Sequence, residues 1–307
     1  MKYILRPYYQ PELPSIEYTE IDFQNILSAR RNSLLGLTHE CLLEILLQNY
    51  EEFESELLAP ANRTSTATSD WARAIDEMQV LGRRLSNFLS SSKAYIDQLP
   101  QISNAMFGDG AAGTAELKAL CSSEYDSSQA GYRVCTALRN HVQHKGYGIH
   151  HISYAEDHNT IVADGMTKVL AIIPKVSVDI LASDSTFKKS ILHEISSAGE
   201  VLHGERLHDL RPWVRQFMNS LAKIHLRARE MFDPIVSASD KSVADAVADY
   251  SSRYTAAKSQ ALALLTLSED RTTVEGNPHF LGSQQVNQRT ALIVKNMFPF
   301  SRFPIEF

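Results

Sequence analysis

Cysteine is scarce in this chain of 307 residues: Cys41, Cys121 and Cys135 are the three, and no two stand at CxxC spacing. That excludes a disulfide framework and a thiolate zinc site, and an odd number of thiols suits a reducing cytoplasm. Long hydrophobic runs are missing too. Those at 169–174 and 261–265 fall far short of the roughly 20 residues a membrane helix needs. The opening Met-Lys-Tyr-Ile-Leu-Arg-Pro lacks the apolar stretch of a signal peptide. A soluble cytoplasmic protein with no membrane partner is expected. An excess of basic residues is also absent. Lys and Arg number 30 against 36 Asp and Glu, for a formal net charge of −6. This balance argues against a generally basic, non-specific nucleic-acid binder, but a local basic site remains compatible with it.

Apolar residues make up 44% of the chain and charged ones 21%, ordinary values for a globular fold that can bury a sizeable core. Residues 1–15 carry Pro7, Pro11 and Pro14 among aromatics and read as an extended N-terminal arm or an edge strand, not a helix. Helical spacing of apolar residues follows over 17–58, with a break expected near Gly36 and Thr38. It resumes over 71–98, up to Pro100, and again over 114–143. The glycines of 108–113 have no following Lys-Ser/Thr, so this stretch reads as a connector, not a phosphate loop. Two short strands, 149–154 and 166–173, flank a turn at 156–159 and predict a small β-hairpin inserted at about 149–174. Helical patterning returns over 185–197 and 207–267. The expected domain thus spans 16–270, and 271–307, rich in Gly, Pro, Asn and Gln, reads as an irregular tail packing on the body. The fold class is mainly α, a helical bundle carrying one small hairpin.

Chemical density is highest at Arg139-Asn140-His141-Val142-Gln143-His144, near the end of a helical pattern and just before Gly146 and Gly148. A permanent guanidinium, an amide and two imidazoles can hold a phosphate and move protons near neutral pH. Arg139 and His144 lie five apart, about 140° around an ideal helix. They reach one phosphate only if the helix unwinds at His144 or a second subunit completes the site. Asn140 and His144 share a face, so Asn140 can orient the imidazole. The plain alternative pairs Arg139 with Glu124 or Asp126 and leaves His144 as a helix cap. His141, His144, His150, His151 and His158 crowd 18 residues and invite a metal reading, but none stands in a His-Glu-x-x-His arrangement, and no metal or other cofactor is expected. A second basic stretch holds Lys188, Lys189, Arg206, Arg211 and Arg215 with Trp213. It reads as an RNA-backbone surface or, more simply, as a solvated helix start with Trp213 in the core.

The Arg-Asn-x-x-x-His pattern at 139–144, in the last turns of a bundle helix, resembles the signature of the HEPN superfamily. The resemblance covers about 15 residues plus the helical texture. It implies a metal-independent endoribonuclease of toxin or anti-phage defence type, acting on structured RNA or tRNA as a homodimer, with an antitoxin or defence partner. Arg139 would clamp the phosphate, His144 would transfer protons, and Asn140 would position one of the two. His141, Lys145, Tyr147 and Arg133 would contact the substrate. The alternative implied by the same resemblance is a catalytically inactive module of that fold, binding nucleic acid or another protein.

Overall fold

A computed structural model describes residues 1–62, 71–127, 129–161, 167–196, 199–202, 204–254, 261–268 and 273–296. In chain order the elements are β1 (Lys2–Pro7), β2 (Ile16–Tyr18), α1 (Glu20–Asn62), α2 (Trp71–Phe107), α3 (Ala112–Tyr125) and α4 (Gly131–His144). There follow β3 (His151–Ile161), β4 (Thr167–Ser177), α5 (Val178–Ser183), α6 (Lys189–Ser196), β5 (Glu200–Leu202) and β6 (Glu205–Asp209). The chain continues with α7 (Arg211–Arg253), β7 (Leu262–Leu267), β8 (Val274–Leu281) and α8 (Gln284–Lys295). The described residues are therefore mainly helical, with two small antiparallel sheets. Among them no helix is long and apolar enough to cross a membrane. The chain divides into two compact units, the first built from Met1–Leu42, Gln101–Thr114 and Arg227–Phe298, the second chiefly from Leu43–Pro100 and Ala115–Leu226.

In the first unit the sheet order is β2-β1-β7-β8. Strand β7, Leu-Ala-Leu-Leu-Thr-Leu, is buried on both faces, as a central strand without period-two polarity should be. Leu262 and Leu264 join Leu5, Phe23, Ile26 and Tyr250 on the side covered by α1 and α7, while Ala263, Leu265 and Leu267 meet Ile4 on the other. The expected helix over 207–267 is corrected here, since α7 stops at Arg253 and β7 follows. A short apolar run fits a buried helix or a buried strand equally, and the pairing with β1 decides. The tail read as irregular instead forms β8 and α8 over its described part. The N-terminal arm is held as β1, between β2 and β7. Helix α1 runs through Gly36 without the expected break. That glycine serves close packing: a Cβ there would stand 2.7 Å from Val236 Cγ1 on α7.

The second unit holds the sheet β3-β4-β6-β5. The hairpin read from the sequence is its first strand pair, but it is part of a four-stranded sheet. Glu156–Asn159, the expected turn, lies inside β3, where register shifts after Ala155 and after Asp157 accommodate the polar run. Helix α2 continues past Pro100 to Phe107, and the single helix expected over 114–143 is two, α3 and α4. Arg133 secures that break by donating to the carbonyls of Tyr125, at 2.7 Å, and Ser127, at 2.5 Å.

Helix α4 is seated against the start of α7 through Gly131, whose amide donates to Gln216 Oε1 at 3.0 Å. A Cβ on Gly131 would lie 2.5 Å from Gln216 Cβ and 2.6 Å from the Trp213 carbonyl oxygen. Backbone cannot yield as a side-chain tip can, so Gly131→Ala is expected to cost about 1–3 kcal/mol as an overpacked contact. Urea unfolding checks this. A loss below about 0.5 kcal/mol, the range of neutral surface changes, would mean that the two helices separate freely.

Candidate functional site

Helix α4 is strongly two-sided. Tyr132, Val134, Cys135, Leu138 and His141 are buried, while Asn140, Gln143 and His144 face water. The Lys145 amide closes the helix by donating to the His141 carbonyl at 2.8 Å, and Lys145, Gly146 and Tyr147 are exposed beyond it. Gly148 lies close to Val142 and Leu85, and the His150 amide then donates to the Lys175 carbonyl, carrying the chain into β3.

This geometry sends the residues of the 139–144 run in three directions. Arg139 and Asn140 face a pocket of about 160 Å3 walled by Leu89 and Ile96 of α2, Tyr132 and Cys135 of α4, and Phe217 of α7. Arg139 Nη1 donates to Asn140 Oδ1 at 3.1 Å, and Arg139 Nε is enclosed without a hydrogen-bond partner. Among the described residues no carboxylate pairs with Arg139. Neighbouring arginines differ: Arg133 binds Glu194, Arg211 binds Asp209, and Arg215 binds Glu54. Glu124, the sequence-based partner for Arg139, instead faces Lys223 at 3.6 Å. An unsatisfied guanidinium nitrogen is a costly arrangement unless an anion or acceptor arrives.

His141 turns the opposite way, into the unit. It is 5% exposed, and its Nδ1–H donates to Asp184 Oδ2 at 2.8 Å. The other oxygen of Asp184 accepts from the amide and the hydroxyl of Thr186 at 2.9 and 2.7 Å. The Thr186 hydroxyl, His141 and the Thr186 amide together hold the Asp184 carboxyl down at about 2, so it stays ionised. His150 sits beside the pair, its ring centroid 6.0 Å from that of His141. Burial, aided by the neighbouring His141, lowers His150 to about 4. It is therefore neutral near pH 7, and its Nδ1 accepts from the Ser177 amide at 3.0 Å. His144, unlike His141, is exposed.

Of the residues expected to contact substrate, Lys145 and Tyr147 are exposed near His144, Arg133 is engaged within the unit, and His141 is buried. The loop histidines His141, His144, His150 and His151 form no three-ligand group, and the side chain of His158 lies outside the described residues. In the second basic stretch, Trp213 is buried and stacks on His208 at 4.7 Å, as the helix-start reading has it. Sequence reasoning missed Asp184, which stands 43 residues from its histidine. The Asp-x-Thr turn was a visible local signal, but it identifies the turn and not the partner. It also missed the pocket, because its walls come from three helices. No family model matches the chain, and none of the curated proteins or solved structures matches it either.

Proposed function

We propose that this chain is a metal-independent endoribonuclease of toxin or defence type, with its site at the end of α4. The observation that carries the reading is Arg139, a cation with one enclosed nitrogen unsatisfied and no carboxylate opposite it. A phosphate would satisfy that nitrogen and compensate the charge. His144, exposed on the same helix end, supplies acid–base chemistry. The ribose 2′-hydroxyl loses its proton to a base and its oxygen attacks phosphorus. The 5′-oxygen leaves with a proton from an acid, and the products are a 2′,3′-cyclic phosphate and a 5′-hydroxyl. Arg139 stabilises the added charge of the pentacoordinate phosphorus. Because Arg139 and His144 face different sides of α4, the proposed site pairs Arg139 of one copy with His144 of a second across a two-fold axis.

A second reading, an RNA-binding module without cleavage, is favoured by one feature. The histidine that has an orienting carboxylate, His141, is buried, whereas His144 is exposed. Incubation of total RNA and tRNA with the protein in EDTA separates the two. Cleavage leaving cyclic-phosphate ends, lost in both Arg139→Ala and His144→Ala, supports the nuclease. Intact RNA beside a folded native protein removes that reading and leaves the module.

A further inference from the structure

The pocket beside Arg139 has a composition the cleavage chemistry does not require. Five of its wall residues, Leu89, Ile96, Tyr132, Cys135 and Phe217, are apolar or aromatic, and its polar side chains are Lys93, Thr136, Arg139 and Asn140. Lys93 is paired with Asp97, so the unmatched charge is that of Arg139. Burial pushes the Tyr132 phenol and the Cys135 thiol up, so both stay neutral and neither offers a base or nucleophile near pH 7. Tyr132 and Phe217 meet edge to face at 5.0 Å, which fixes the wall. The lining therefore suits recognition of a ligand rather than reaction with it.

A phosphate alone has no use for an apolar wall. A ligand that carries an anion and a flat, weakly polar ring uses both halves. The volume sets the size of the ring: an apolar cavity of about 150 Å3 accepts one benzene, and this pocket measures about 160 Å3. The pocket is open to solvent on one side, so one six-membered ring fills the walled part and the second ring of a purine would project beyond it. A base stacked inside a duplex cannot enter, because its faces are covered and its edges paired. We propose that the pocket takes a single unstacked pyrimidine of single-stranded RNA, with the neighbouring phosphate on Arg139 and the Asn140 amide at the ring edge. The proposal rests on the RNA reading of the same helix end and narrows its substrate to unpaired, pyrimidine-containing segments.

Binding tests it without cleavage. The probes are labelled 2′-O-methyl decamers, which lack the attacking hydroxyl: uridine, adenosine, a decamer with every base removed, and the uridine–adenosine duplex. The expected result is uridine binding at least about fivefold tighter than the other three, the lower end for one base on an aromatic wall. Thr136 lines the pocket without touching Arg139 by hydrogen bond, its hydroxyl donating to the Tyr132 carbonyl. Thr136→Trp should fill the space and abolish the preference for uridine over the base-free decamer. The base-free decamer asks the same question of the native protein, so a misfolded variant does not remove the test. Equal binding of all four probes overturns the base pocket but leaves an RNA-phosphate site at Arg139. Binding of none overturns both the pocket and the RNA reading.

Discussion

Glu40→Ala is expected to destabilise the protein by about 3 kcal/mol, the lower end of the range for breaking one side of a buried ion pair. Arg229 Nε and Nη2 donate to Glu40 Oε1 and Oε2 at 2.7 and 2.6 Å, a two-bond fork. The Glu40 side chain is 2% exposed and that of Arg229 19%, so the guanidinium left behind reaches some water, which places the cost at the lower end. Burial lowers His39 and keeps it neutral, so it adds no second positive charge beside the uncompensated guanidinium. Glu40→Gln should lose less, since one acceptor survives. Urea unfolding of the three chains checks the order. A Glu40→Ala loss under 1 kcal/mol would show that the pair contributes little.

Acid is expected to weaken the second unit between pH 6.5 and about 4 through His150. Its folded-state value is depressed to about 4, chiefly by burial. The unfolded chain therefore binds the proton first, and the stability contributed by neutral His150 is full above pH 6.5 and lost as pH falls through 4. A shift of about 2.5 units corresponds to about 3 kcal/mol at most. Protonation would also place an N–H against the Ser177 amide, two donors facing each other. His150→Gln keeps an acceptor and removes the proton uptake, so its stability should be nearly flat over that window. Asp184 does not share the window, because it remains ionised down to about 2 and its contribution is lost only between pH 3.8 and there. An unchanged slope in the variant would assign the acid sensitivity to other groups.

The helical class was legible from periodicity over 17–58 and 71–98, where long amphipathic runs leave little choice. The same signal overran its ends. It merged α3 with α4 because both keep an apolar face, and it absorbed β7 because six consecutive apolar and small residues carry no period. The sheet of β1 and β7 joins residues some 260 positions apart, a pairing no local pattern announces. At the site, Arg139 and Asn140 were visible by chemical type and His144 by its exposure at a helix end. Which histidine would be buried was not legible. His141 and His144 are both in the last turns, and the choice depends on Asp184 and Phe187 arriving from later elements.

The proposed sharing of Arg139 and His144 between two copies is tested most directly by mixing. Arg139→Ala and His144→Ala are purified separately, combined in equal amounts under conditions that allow exchange, and assayed on RNA in EDTA beside the native chain. Each variant alone is expected to be inactive. In a random mixture half the dimers carry one intact pairing of two, so about a quarter of native activity should return. Native cleavage without any recovery in the mixture would contradict a shared site, and no cleavage by the native chain would contradict the nuclease itself.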